Sequence, residues 1–383
     1  MFAYANTIII FNIIFILMAQ KDSKKYNRIK LGFSIGEGIV SFILVLLFVW
    51  LGYSSMLENY IREFITNDYL VLLVYVLVLG IAGTVLFFPV NLYTDFLLEH
   101  EYDLSNQTFG KWIWENMKAS MVGGVIGTPI LLLFYYFLNL FGEIWWLPFA
   151  ALMFLFSVVL AQIVPIIILP IFYKVSPLED GELKEKIVSL AKDAGMKVDN
   201  VFSFDMSKNT KKANAAFTGL GKTKRIILGD TLLNNFSNEQ IETVMAHELG
   251  HFKYKHIIKN IIIGTIFSFL TLFLVAELYS LSLSWFGFEE ITRISALPVL
   301  MLWGMLIGLI QTPLSNILSR KYEYEADEYA VKTTQMPEAF KETLEKLNDQ
   351  NLGDKEPHPF VEWFFYSHPS IKNRIAAINA IPL

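Results

Sequence analysis

Seven long apolar stretches decide most of what this chain can become. They lie near Phe2–Ala19, Leu31–Tyr53, Tyr69–Tyr93, Ser120–Phe141, Ile144–Tyr173, Ile257–Phe286 and Ser295–Leu318. About 20 apolar residues cross roughly 30 Å of hydrocarbon as a helix, and lipid tolerates no spanning backbone that cannot satisfy its own hydrogen bonds. The pattern therefore predicts an all-α membrane protein with seven transmembrane helices. The composition agrees, being 54% hydrophobic and only 17% charged, where soluble chains run nearer about a quarter charged. A disordered chain and an ordinary cytosolic enzyme are excluded. A net charge of -5 gives no global basic field, so no nucleic-acid partner is expected. The chain has no cysteine, which removes disulfide scaffolds, thiolate metal sites and cysteine nucleophiles.

The fifth and sixth stretches are longer than a simple span and should tilt, kink or project, with Pro165 and Pro170 as kink points in the fifth. Basic residues set the orientation. The first loop, Gln20–Lys30, carries Lys21, Lys24, Lys25, Arg28 and Lys30, the third carries Lys111 and Lys118, and the loops between them are poor. The N-terminus is thus expected outside, with loops one, three and five and the C-terminus in the cytosol. Met1–Asn6 has no basic residue, which argues against a cleaved signal peptide.

Four regions follow: membrane helices one to five in 1–173, a polar segment in 174–256, helices six and seven in 257–318, and a polar tail in 319–383. The two polar segments together have the length of one ordinary domain. In the first, Gly181–Ala194 has helical spacing, and Val198–Met206, Ala213–Leu220 and Arg225–Leu228 read as short strands. Ser237 with Gln240 forms a capping-box pattern opening a helix from Asn238 through His256, which could continue into span six. In the tail, Ser319–Thr334, Pro337–Asn351 and His368–Ile381 read as helices.

The sharpest chemical signal is His247-Glu248-Leu249-Gly250-His251. Residues four apart share a helix face, so His247 and His251 can reach one metal ion. Glu248 then projects beside it, where a carboxylate can take a proton from water. A catalytic zinc needs a third protein ligand and an open position. Glu323 and Asp327, four apart beyond span seven, allow Glu323 to ligate while Asp327 orients an imidazole. An acidic, solvated helix face would give the same spacing, since Glu325 and Glu328 are acidic too. His256 lies about 140° around the helix from His251 and reads as interfacial. His358 has no assigned chemistry, and His100, between Glu99 and Glu101, reads as a solvated loop residue ahead of a second metal site.

These residues bring a family into view. HELGH at 247–251, Glu-Tyr-x-Ala-Asp at 323–327 and seven spans resemble the type I CAAX prenyl proteases, integral-membrane zinc endopeptidases of the gluzincin kind. Ile171–Lys174 with Pro177-Leu178, Asn214–Gly219, Ile227–Leu233 and Tyr366–Pro369 fall in the same order. The resemblance covers nearly the whole chain. It implies seven helices around a water-filled chamber with a small α+β zinc metalloprotease domain on the cytosolic side. It implies one zinc per chain on His247, His251 and Glu323, Glu248 as general base and Asp327 behind the ligands. By the same resemblance His368 stabilises the oxyanion, Asn214 holds the substrate backbone by strand addition, and Arg374 of the last helix is structural or substrate-orienting. The implied partners are the bilayer and a peptide or lipidated protein, cleaved near its C-terminus.

Ala216 departs from the aromatic that eukaryotic relatives often carry. Ala380–Leu383 carries no dilysine retrieval signal, so a bacterial or archaeal cell membrane is expected over the endoplasmic reticulum. Glu37 and Glu277 lie within spans, as do Asn12, Gln162 and Gln311. Intramembrane carboxylates face protein or water, so these two either line the chamber or reach the interface from helix ends. Two rival functions remain: an HtpX-like quality-control protease, and a transporter or receptor with a structural zinc site. An intact Glu248 opposes the latter, because a structural site needs no base.

Overall fold

The computed structural model describes residues 2–196, 201–219 and 225–382, with side chains from Ser23 onward. Helices dominate it: α1 (Phe2–Trp50), α2 (Tyr53–Arg62), α3 (Asp68–Leu92), α4 (Leu98–Glu101), α5 (Phe109–Phe141), α6 (Trp146–Ile163), α7 (Leu169–Phe172) and α8 (Glu182–Asp193). There follow α9 (Asp230–Asn235), α10 (Asn238–Lys253), α11 (His256–Ser282), α12 (Leu297–Thr334), α13 (Pro337–Gln350), α14 (Pro359–Phe365) and α15 (Ile371–Asn379). Strands β1 (Val175–Pro177), β2 (Val201–Phe204), β3 (Ala215–Thr218) and β4 (Arg225–Gly229) form one small sheet.

Six segments among the described residues are long and apolar enough to cross a membrane: Ser23–Trp50, Asp68–Glu101, Phe109–Ile144, Trp146–Phe172, His256–Phe286 and Ile294–Thr334. They correspond to the second through seventh expected spans. The expected first span, Phe2–Ala19, falls among residues whose side chains lie outside those described. Pro165 is the second residue of a π-helical turn, Val164–Ile168, that joins α6 to α7. This is the expected deformation of the fifth span, since proline removes a hydrogen bond from the helical ladder.

The basic stretch expected to be a loop is helical over Ser23–Lys30. It is held to the polar end of the bundle by packing and charge. Tyr26 is buried against Leu98 and Leu104, Lys30 pairs with Glu99 at 3.2 Å, and Asn27 donates to the carbonyl of Leu352 at 2.6 Å. Glu99 also accepts from Tyr26 at 2.5 Å and pairs with Lys212 at 2.9 Å. One buried carboxylate thus ties α1 and α4 to the segment leading into β3.

The sheet runs β1-β2-β4-β3, antiparallel except for the central β2–β4 pair. The expected strand residues Val198–Asn200 and Leu220 lie outside those described. Strand β1 was not foreseen, because three residues carry no readable alternation. β3 is an edge strand, so half of its backbone groups are available to something other than the sheet.

Helix α10 lies between two cores. One side packs Ile241, Val244, Met245 and Leu249 with Ile187, Leu190, Ile226, Leu228 and Leu232. The other puts Ala246 with Ala330, Val331, Phe340, Leu344 and Ile378. The two polar segments therefore share a hydrophobic core, although two membrane helices separate them in sequence. Helix α12 is 38 residues long, about 57 Å at 1.5 Å per residue. That is nearly twice the hydrocarbon thickness, so its polar second half is carried rigidly beyond the span.

Candidate active site

The local fold of the HELGH segment begins at its cap. Ser237 Oγ accepts from the Gln240 N–H at 3.3 Å, and Gln240 Oε1 accepts from the Ser237 N–H at 3.2 Å. Two otherwise orphaned N–H groups at the helix start are satisfied. The helix ends earlier than expected. Lys255 adopts a left-handed conformation, φ 58°, and α11 starts afresh at His256. The angular count that made His256 interfacial assumed an unbroken helix. The turn instead brings His256 back onto His251, with the two Nδ1 atoms 2.9 Å apart.

Gly250 fixes how α10 meets α12. A Cβ there would lie 2.9 Å from Ala326 Cα and 3.1 Å from its carbonyl oxygen. Only a residue without a side chain permits so close a crossing. The crossing brings Glu323, one turn before Asp327 on α12, beside both histidines.

His247, His251 and Glu323 each aim one donor atom at a common point, all within 4.8 Å of one another. Among the described residues this is the one group of three such side chains that could hold a metal. The two Nε2 atoms are 3.2 Å apart, His247 Nε2 is 3.5 Å from Glu323 Oε2, and His251 Nε2 is 3.4 Å from Glu323 Oε1. Tetrahedral bonds of about 2.0–2.1 Å separate ligand atoms by roughly 3.3 Å, so the spacing fits zinc. Glu323 is buried and its Oε2 has no hydrogen-bond partner. Arg374 Nη1, 3.8 Å from that oxygen, is too far to donate to it, and a buried carboxylate oxygen without a hydrogen bond is costly unless a cation at the convergence point uses it.

The field at this point favours positive charge. Burial by itself disfavours the imidazolium of His247, yet the neighbouring Asp327 and Glu323 carboxylates outweigh it and push its pKa up to about 9. Behind His247, Asp327 Oδ1 lies 2.9 Å from Nδ1. Asp327 in turn accepts from Arg374 Nε at 2.8 Å and from its Nη2 at 2.5 Å, a bidentate fork. Arg374 is 8% exposed. Burial works against its charge, but the Asp327 carboxylate holds its pKa above the ordinary value.

A cavity of about 440 Å³ opens on this cluster, lined by Asn214, His247, Glu248, Glu323, Tyr366 and His368 among others. Glu248 Oε2 accepts from the Phe217 N–H of β3 at 3.3 Å, so the carboxylate stands between the paired donors and the open strand edge. The Asn214 carbonyl accepts from the Gly229 N–H at 2.9 Å, extending the β3–β4 pairing at the cavity wall. The preceding Ala213 is clasped by Asn351 through two hydrogen bonds of 2.8 and 3.1 Å. His368 lies in the turn before α15, whose start is delayed to Ile371 by the cap of Ser370. Its Nε2 is 3.6 Å from Glu323 Oε1, and two thirds of its side chain is exposed.

The other sequence candidates lie elsewhere. His100 is part of α4, and its two ring nitrogens face the carbonyls of Phe96 and Gln107 at 2.6 and 2.8 Å. His358 caps α14, accepting from the Phe360 N–H at 3.2 Å. Glu37 borders a membrane-level groove with Arg28 and Tyr93, Glu277 is exposed on α11, and Gln311 bonds Thr271 across α12 and α11. Sequence reasoning missed β1, α9, α14 and the contact of His256 with His251. The signal for that contact was the Lys255 break, which a single sequence does not mark.

The chain is similar to known proteins over nearly its whole length. A model of peptidase family M48 matches residues 177–381, and a model of the CAAX prenyl protease N-terminal region, described by five membrane helices, matches residues 13–174. CAAX prenyl protease 1 of Saccharomyces cerevisiae is 31% identical over 94% of this chain and 85% of its own length. An uncharacterized metalloprotease of Bacillus subtilis, YhfN, is 31% identical over 92% of this chain and 84% of its own. The crystal structure of S. mikatae Ste24p superposes with a TM-score of 0.84 at 30% identity, covering 94% of this chain and 89% of that one.

Proposed function

The chain belongs to peptidase family M48, on its CAAX prenyl protease branch, and is a multi-pass membrane zinc metalloendopeptidase; from that premise we propose how its residues divide the work. His247, His251 and Glu323 hold one zinc ion. The observation that carries this is the convergence of their donor atoms at tetrahedral spacing, with the Glu323 Oε2 without a hydrogen-bond partner. Zinc, when bound in such a site, polarises a carbonyl and lowers the pKa of water to about 7.

Glu248 acts as the general base. Its carboxylate takes a proton from the attacking water and returns it to the leaving amine, so no net proton is consumed at the residue. The substrate lies along β3, adding a strand to the free edge next to Asn214 and giving up its peptide carbonyl to the cavity. Its arrival would displace the Phe217–Glu248 hydrogen bond and free the carboxylate for chemistry. His368, at the rim, donates to the developing oxyanion, a role for a hydrogen-bond donor aimed where the charge develops. Asp327 fixes the orientation of His247, and Arg374 fixes Asp327. The buried bidentate pair favours this orienting role for Arg374 over direct contact with substrate.

We further propose that the two polar segments, 174–256 and 319–383, act as one cytosolic catalytic domain between and beyond the membrane regions 1–173 and 257–318. The lysines and arginines at 21–30, with Lys111 and Lys118, support an outside N-terminus and a cytosolic site in a cell membrane. The relatives' names support a prenylated peptide as the substrate class. The test is hydrolysis of a farnesylated CAAX peptide against its unprenylated twin by purified protein. Preference for the farnesylated peptide supports the assignment, whereas equal cleavage of both contradicts the prenyl preference and leaves a general membrane protease.

A further inference from the structure

The two histidines of the proposed zinc site are not supported in the same way. His247 turns its Nδ1 to a carboxylate, Asp327, at 2.9 Å. His251 turns its Nε2 to Glu323 and His247, at 3.4 and 3.2 Å, which leaves Nδ1 as its outward atom. That atom meets another imidazole: His256 Nδ1 is 2.9 Å away. His256 Nε2 in turn lies 2.9 Å from Glu325 Oε2. The His256 ring is stacked on Tyr322, with centroids 4.1 Å apart and planes inclined by 12°, and it is only 2% exposed.

Resting on the zinc assignment above, we propose that His256 is a positioning residue for His251, in a relay Glu325–His256–His251 that does for the second ligand what Asp327 does for the first. The hydrogen-bond directions follow from the geometry. A ligating Nε2 must present its lone pair to the metal, so the His251 proton sits on Nδ1 and donates to His256 Nδ1. His256 then carries its own proton on Nε2 and donates to Glu325. Each ring has one fixed tautomer, and a fixed tautomer and ring plane are what partners behind a metal ligand provide.

Three features of the fold hold the relay. The left-handed Lys255 ends α10 and returns the chain so that His256 faces back along it. Tyr322 supplies a flat aromatic floor from α12, one residue before the proposed ligand Glu323. Glu325 is itself flanked by Lys259 and Lys321, each 3.8 Å away, so opposite charges border the carboxylate that accepts from His256. The relay therefore spans α10, α11 and α12.

The test is metal binding rather than turnover alone. Purified wild type, His256→Ala, His256→Gln and Glu325→Gln are titrated with Zn²⁺ against a competing chelator, and with Co²⁺ while its visible bands are read. Removing the partner of a metal-ligating histidine weakens metal affinity by about 10–100-fold. His256→Ala should show that loss with altered Co²⁺ bands, and His256→Gln should recover part of both, because its side-chain oxygen can accept from His251 Nδ1. Glu325→Gln should show a smaller loss in the same direction. If His256→Ala binds Zn²⁺ within twofold of wild type with unchanged Co²⁺ bands, the relay is wrong. If His256→Gln is no better than His256→Ala at equal thermal stability, His256 fills space and does not position His251. His247→Ala titrated in parallel separates the two questions, because retention of the metal in that variant overturns the zinc assignment itself.

Discussion

Gly250 and Ala326 pack so closely that a single added carbon on Gly250 would come within 2.9 Å of the Ala326 Cα. The contact sits between the two histidines of α10 and the carboxylates of α12. Helix separation there sets whether Glu323 can reach the point where His247 and His251 converge. The glycine of HELGH is thus part of the site's geometry although it carries no chemistry.

Gly250→Ala should consequently separate α10 from α12. Overpacking of this kind costs about 1–3 kcal/mol, and here it also widens the ligand triangle. Thermal unfolding in detergent and zinc content per chain should both fall. A Gly250→Ala protein with wild-type melting temperature and full zinc content would show that the crossing is not limiting.

Arg374→Lys keeps the charge and loses the planar fork that grips both oxygens of Asp327. We expect reduced metal affinity and reduced kcat, with KM for a peptide substrate little changed, because the buried guanidinium supports Asp327. Steady-state kinetics beside a zinc titration checks this. A large rise in KM with unchanged zinc affinity would instead assign Arg374 to substrate binding.

His368→Ala should leave zinc content intact and lower kcat by about 10²–10³, the usual consequence of deleting an oxyanion donor. Its Nε2 approaches Glu323 Oε1 at 3.6 Å, close enough that ligation is the competing assignment. Loss of the metal on His368→Ala would favour ligation and remove the oxyanion role.

What the sequence made legible was whatever depends on local period and spacing. Apolar runs announced six of the spans now described, the Ser237–Gln240 cap announced α10, and the four-residue spacing put His247 with His251, and Glu323 with Asp327, on single helix faces. The closure of the site was not legible in spacing, since Glu323 meets His247 only because Gly250 lets two helices cross. The reversal at Lys255 was equally hidden: a lysine in the left-handed region has no signature, and without it His256 points away from His251. Short elements such as β1 and α14 carry too few residues for a pattern. The helical run Ser23–Lys30 was masked by its charge, part of which, Lys30, pairs with Glu99.

The central claim is that His247, His251 and Glu323 hold a zinc ion beside a catalytic Glu248. The most direct measurement is zinc content and peptide hydrolysis, side by side, for wild type and Glu248→Gln in the same detergent. The account predicts one zinc per chain in both proteins, with hydrolysis in Glu248→Gln lower by at least about 10²-fold, the scale of lost general-base catalysis. Hydrolysis by Glu248→Gln at the wild-type rate, with zinc retained, would contradict it.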